Sequence, residues 1–235
     1  MEFPLYAKAL AHGLLWTVAA FLAALAGTLL IGLCGALASF LRVPWVRPVI
    51  STYTTIFRGV PELIIVLGIY YGSALAIGDV LKLLGVETFY QPPAFLLGVV
   101  ALSLTFGAYA VEIFRAAGRA VPKGDIDAAY SLGMPRGLVY GRIVLPQMAR
   151  YALPGLGNLA LVLLKDTSLL SLIGVAELMR ETRVIISVTK APFTFYAAAA
   201  LLYLLLTTAA LAGVRQLEKH AFRGWPAAQP CHSLF

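Results

Sequence analysis

The chain has 235 residues, of which 60% are hydrophobic and only 12% charged, and its net charge is +7. That apolar share lies well above the roughly 45–50% of soluble domains, which excludes an ordinary water-soluble fold and makes lipid the expected solvent. No aromatic-interleaved basic patch accompanies the positive balance, so it argues for topology and anionic-lipid contact, not for nucleic acid.

A helix needs about 20 apolar residues to cross the hydrocarbon core, and about five stretches meet that demand: 12–40, 61–78, 93–114, 152–176 and 193–214. The expected fold class is all-α, a polytopic membrane protein with one transmembrane domain over 1–225. The first stretch follows the charge-poor MEFPLYAKALAH. Its apolar run is about twice the 7–15 residues of a signal-peptide core, so it is expected to remain as a span. Gly27, Gly32 and Gly35, with Ala24, Ala36 and Ala38, give it small faces for close helix packing. Lys165-Asp166 interrupt the fourth stretch. The tail 226–235 has two prolines and no helical period, and is expected to be disordered.

Orientation follows from the basic residues. Arg42, Arg47 and Arg58 lie between stretches one and two; Arg115, Arg119, Lys123, Arg136, Arg142 and Arg150 between three and four; Arg215, Lys219 and Arg223 after five. These twelve share one side, whereas Lys8, Lys82, Arg180, Arg183 and Lys190 on the other are offset by Glu2, Asp79, Glu87, Glu177 and Glu181. The positive-inside rule then puts the N-terminus outside and the C-terminus and the 115–150 loop inside.

Within that loop, Asp127-Ala128-Ala129, Gly133, Ile143, Leu145 and Pro146 form the pattern D-A-A-x3-G-x9-I-x-L-P. Asp125 is expected to cap a short helix after the Pro122-Lys123-Gly124 break. Ala128 and Ala129 have no bulk, so another protein's surface can approach the backbone. Gly133 supplies the positive φ that commonly ends a helix, and Pro135 sits where a new one can begin.

This spacing resembles the docking signature of importer-type ABC permeases, with Asp127 where Glu is usual. The resemblance extends over nearly the whole chain to the polar amino-acid uptake permeases of bacteria. It rests on Phe57-Arg58-Gly59-Val60-Pro61, Ala108-Tyr109, Glu112-Ile113-Phe114-Arg115, Val121-Pro122-Lys123-Gly124, Ala152 to Asn158, Lys165-Asp166-Thr167-Ser168-Leu169 and Glu177-Leu178. Arg58 to Glu62 and Arg150 to Pro154 look most like the branch serving histidine, arginine, lysine, ornithine and opines. The resemblance implies a type I ABC importer permease fold, with residues 122–146 docking onto an ATPase. It further implies two ATP-binding subunits, a second permease of different sequence, a periplasmic amino-acid-binding protein and residence in the bacterial inner membrane.

Absences agree with a translocation subunit. There is no G-x-x-x-x-G-K-[ST] loop, so ATP and Mg are expected on the partner chain. His12, His220 and His232 are scattered, with no metal-ligand spacing. Cys34 lies in an apolar span and Cys231 in the tail, so no disulfide is expected between them. No G-x-S-x-G elbow is present, and no catalysis is expected of the chain itself.

The pathway candidates are Lys165, Asp166, Arg58, Glu62, Tyr109, Glu112 and Asn158. An ionisable group within a span costs about 2.5–3.5 kcal/mol on insertion scales unless paired or wet, so Lys165 and Asp166 are expected to face the pathway or a partner. Asp166 supplies negative potential for a cation in one reading; in the other the two residues are structural. Neighbours on a helix point about 100° apart, which disfavours a direct pair. Many members of the resembled family place Glu where this chain has Leu159, one helical face from Asp166, which shifts substrate contact toward the sister permease. Glu62 is read either as a first-turn acid at the cytoplasmic start of the second span or as a gate with Arg58. Glu112 is read as the i,i+3 partner of Arg115, and Tyr109 and Asn158 as path lining or interhelical glue. The expected function is the permease subunit of an importer for a basic amino acid or opine. The alternatives are an ATP-independent secondary transporter or channel, and an exporter-like permease or adaptor in which Lys165 and Asp166 are purely structural.

Overall fold

A computed structural model describes residues 3–40, 43–85 and 91–223. The 226–235 tail, Arg42, Glu2, Glu87, Cys231 and His232 of the sequence reading lie outside those residues. Every regular element among the described residues is helical, and five helices are long and apolar enough to cross a membrane. The membrane demands this: with no water to satisfy N–H and C=O groups, a helix closes its own backbone hydrogen bonds.

Helix α1 (Phe3–Phe40) has 38 residues and is about 57 Å long at 1.5 Å per residue. It packs against α4 (Ala94–Ala120). A Cβ at Gly27 would sit 2.3 Å from Ser103 Oγ, and one at Gly32 2.4 Å from the Ala110 Cβ. Glycine is therefore required for the two backbones to approach so closely, as the small face predicts. Gly27 meets Ser103, Gly32 meets Ala110 and Phe40 meets Gly118, so α1 and α4 run parallel, as first and third spans must. The Ser103 hydroxyl donates to the Ala24 carbonyl at 3.3 Å across the seam.

Between α1 and the second span lies α2 (Val46–Gly59), where the sequence reading has only a loop. Its Tyr53 hydroxyl donates to the Leu104 carbonyl and its Thr54 hydroxyl to Glu112 Oε1 at 3.3 Å. Val60 is extended, with φ −106° and ψ 136°, because the following Pro61 disfavours helical geometry there. Helix α3 (Glu62–Leu83) then begins.

The segment α5 (Lys123–Ser131) and α6 (Arg136–Val139) connects α4 to a π-helical turn at Tyr140–Val144 and to α7 (Leu145–Asp166). The fourth span thus starts seven residues before the expected 152. Pro146 lies in the first turn of α7, where its missing N–H costs nothing. A 3-10 segment, Thr167–Ile173, ends at Gly174 with φ 99°. Helix α8 (Leu178–Thr189) and the fifth span, α9 (Pro192–Ala221), complete the chain.

Two cores result. One joins Ala20, Val66, Leu102, Phe106, Leu163 and Leu170 from α1, α3, α4, α7 and the 3-10 segment. The other joins Ala36, Phe114, Val121, Val139, Val144 and Met148 beneath the α5–α6 segment. Only Val66 and Tyr70 of α3, and Ala199 of α9, are buried. These two spans leave most of their apolar surface for lipid or a neighbouring chain.

Candidate functional site

The docking segment is built around one tight turn. Helix α5 ends with Gly133 N–H bonded to Tyr130 O at 2.9 Å and Met134 N–H to Ala129 O at 3.2 Å, the paired 5→2 and 6→1 bonds of a Schellman cap. Gly133 takes φ 75°, as the sequence requires, and nothing surrounds the place a Cβ would occupy. Pro135 precedes α6 directly.

Two expectations for this segment are corrected. Asp125 does not cap α5: the helix begins at Lys123 after Pro122, which puts Asp125 inside the first turn. Its carboxylate accepts a hydrogen bond from Gln147 Nε2 at 2.8 Å, and the helix dipole favours an acid at that place. Ala128 and Ala129 also part company. Ala128 is exposed, but Ala129 is 4% exposed and packed in the second core of its own chain. The small side chain at Ala129 lets α5 lie close on its own scaffold.

What the segment presents outward is apolar. Leu132 is 82% exposed, Tyr140 50% and Leu145 38%, beside exposed Asp127 and Pro146; Ile143 is half-buried against the core. A groove of about 870 Å³ runs next to them, lined by Leu37, Phe40, Tyr130, Arg136, Tyr140 and Leu145 among others. Exposed leucines on a helix-turn-helix held from beneath leave an apolar patch of the kind that protein contacts use.

The second group of residues lies about halfway along α4. Tyr109 is the sixteenth of the 27 residues of that helix. The Arg58 guanidinium carbon stands 5.5 Å from its ring centroid, within cation–π range. The Tyr109 hydroxyl donates to Glu62 Oε1 at 3.3 Å. Asp166, half-buried at the end of α7, interacts electrostatically with both Glu62 and Tyr109. Glu62 is the first residue of α3, as the sequence reading has it, and its carboxylate reaches Tyr109 near the middle of α4. Two carboxylates and one guanidinium thus surround a phenol in a region that lipid would not solvate.

Of the other candidates, Lys165 and Asn158 are exposed; Lys165 forms no close ion pair with Asp166 but acts on it electrostatically. Leu159 packs against the main core. Glu112 pairs with Arg115 at 2.8 Å and accepts from Thr54, so it fastens α2 to α4 and does not join the Glu62 group.

In the sequence Glu177 figures only in the charge balance of the outer side and in the resemblance. It is fully buried and caps α8, accepting from the Met179 and Arg180 N–H groups at 2.8 and 2.9 Å and from the Tyr203 hydroxyl at 3.0 Å. Burial pushes its carboxyl above the ordinary glutamate range, against the opposing pull of those donors and of Arg183. The signal was local: a Glu just before an amphipathic run is an N-cap position. The Thr17 hydroxyl completes this junction by accepting from Leu178 N–H at 3.1 Å.

Against known proteins, residues 27–223 match the family model described as the binding-protein-dependent transport system inner membrane component. The chain is 45% identical over 175 residues to the nopaline transport system permease protein of Agrobacterium fabrum, covering 74% of each. It is 42% identical to the arginine ABC transporter permease protein of Escherichia coli K12, covering 83% of this chain and 89% of that one. The crystal structure of an amino acid ABC transporter with histidines superposes with a TM-score of 0.80 at 32% identity, covering 93% and 97% of the two chains.

Proposed function

Because the chain belongs to the inner membrane components of binding-protein-dependent transport systems, we propose that it imports basic amino acids or opines as the permease subunit of an ATP-binding-cassette importer. It is a multi-pass inner membrane protein, and ATP is hydrolysed by separate ATPase subunits of the complex. The observation that carries the coupling role is the docking segment: exposed Leu132, Tyr140 and Leu145 stand around a Schellman turn anchored by buried Ala129.

In this reading Asp127, Ala128, Gly133, Leu145 and Pro146 meet the ATPase, with Ala129 and Ile143 holding them from below. The N-terminus is periplasmic and the C-terminus cytoplasmic. Two ATP-binding subunits, a sister permease of different sequence and a periplasmic binding protein complete the machine. The exposed faces of α3 and α9 offer the surface for the sister chain.

Cation preference follows from charge. The Glu62 and Asp166 carboxylates repel one another, with Lys165 beside Asp166 and Arg58 over Tyr109 as the cations at hand. A guanidinium or ammonium substrate passing here relieves that repulsion, whereas an acidic substrate adds to it. The relatives that transport nopaline and arginine carry cationic groups on their substrates and support the same preference. With Leu159 in the core, this chain contributes one acid from α7, and the sister chain supplies the rest of the site.

The test is competition: the reconstituted complex takes up labelled arginine against unlabelled lysine, ornithine, octopine or glutamate. Cationic competitors are expected to suppress uptake and glutamate to leave it unchanged. Asp166→Asn is expected to lower arginine uptake about tenfold, a loss of about 1.4 kcal/mol. Competition by glutamate alone overturns the cation assignment.

A further inference from the structure

The α5 helix is held to the rest of the chain by apolar packing, with Ile126 beside Ala129, and by one polar bond. Ala129 packs into the second core, and Asp125 accepts from Gln147 Nε2 at 2.8 Å across 22 residues of sequence. Gln147 is in the first turn of α7 and only 9% exposed. Its other amide atom, Oε1, is sealed from solvent with no hydrogen-bond partner. A buried unpaired amide oxygen is costly in any fold and calls for a compensating role. Leucine would fill the same space without that cost. Stability alone therefore does not account for glutamine at this position.

The π-helical turn Tyr140–Val144 lies immediately before α7, and such turns are local departures from helical regularity that admit rearrangement. Apolar packing of Ala129 in one core with Met148 crosses this turn without directional constraint, and the Asp125–Gln147 bond adds a directional link from α5 to α7. At the far end of α7, about 30 Å away by helix rise, stands Asp166.

We propose that Gln147 is a positioning residue that straps the docking helix to the fourth span, so that ATPase-driven motion of α5 reaches Asp166 through α7. The proposal rests on the importer reading above. Asp125 is exposed, so removing its partner strands no buried charge. Gln147→Leu accordingly keeps the fold and the docking surface while severing the transmission.

The test uses the full complex in proteoliposomes and compares ATP hydrolysed with arginine taken up. Gln147→Leu is expected to retain thermal stability and ATPase activity while uptake per ATP falls about fivefold or more. Asp125→Ala should reproduce that uncoupling, and Asp125→Asn, which keeps an oxygen acceptor for Nε2, should restore the wild-type ratio. A merely structural bond would lower stability and leave the ratio of uptake to hydrolysis unchanged. An unchanged ratio in Gln147→Leu and Asp125→Ala overturns the strap, and so does an Asp125→Asn variant as uncoupled as Asp125→Ala. Absence of ATP-driven uptake by the unsubstituted complex overturns the importer reading itself and the strap with it, so the two failures are told apart in the wild-type control.

Discussion

At the scale of single residues, Gly133 is where sequence and geometry agree most closely. Its φ of 75° and open surroundings mean that a side chain there is opposed by backbone conformation and not by a clash. A β-branched residue in this region costs roughly 1–2 kcal/mol, and Asn less. Gly133→Val is therefore expected to weaken ATPase binding to the permease about tenfold, with Gly133→Asn close to wild type. Affinity of the purified ATPase for permease in nanodiscs checks this, and equal loss in both variants would place the effect elsewhere. Ala129 was less legible. Its smallness is visible in sequence, but whether a small residue welcomes a partner or its own scaffold depends on which face of α5 it occupies, and a nine-residue helix with mixed polarity does not declare that face. Glu62 is the first-turn acid that the sequence reading expects, whereas its contact with Tyr109 on α4 is not visible locally.

At the scale of elements, the five spans were readable because apolar length is a direct consequence of bilayer thickness. Helix α2 was not. Arg47, Ser51, Thr52, Thr54, Thr55 and Arg58 make it too polar to pass as a span, and its Tyr53 and Thr54 hydroxyls reach across to α4, a contact no local pattern reveals. The early start of α7 was hidden by Arg142 and Arg150, which read as loop charges, although Pro146 suits a first turn. The α8 junction yields a prediction of pH dependence. Because burial raises the Glu177 carboxyl, the folded state holds its proton more tightly than the unfolded state. This group's contribution to stability is therefore greatest at low pH and declines as pH rises above the usual glutamate range. Thermal unfolding of the complex should show that slope, and Glu177→Gln, which cannot ionise, should flatten it. An identical slope in the variant would mean that Glu177 stays charged throughout.

At the scale of the whole molecule, the chain leaves much of its apolar surface unpacked. Its own core is formed by α1, α4, α7 and the 3-10 segment with one edge of α3, while α9 and the outer face of α3 remain uncovered. Soluble proteins seldom leave such faces bare; in a membrane they are open to lipid and to a second permease. The basic loops and the 127–146 pattern are legible in the sequence because both arise from local chemistry, and the positive φ of Gly133 is the part of that pattern the backbone bears out. Arg58, Glu62, Tyr109 and Asp166 were each pathway candidates, but their mutual contacts were not visible, because four helices bring them together across more than 100 residues. The central claim is that this chain moves a cationic amino acid only when a separate ATPase is engaged on its docking segment. The most direct test is uptake of labelled arginine into proteoliposomes holding the permease pair and binding protein, with ATPase and ATP supplied or withheld. Uptake is predicted only with both present, and equal uptake without them would contradict the account in favour of an ATP-independent carrier.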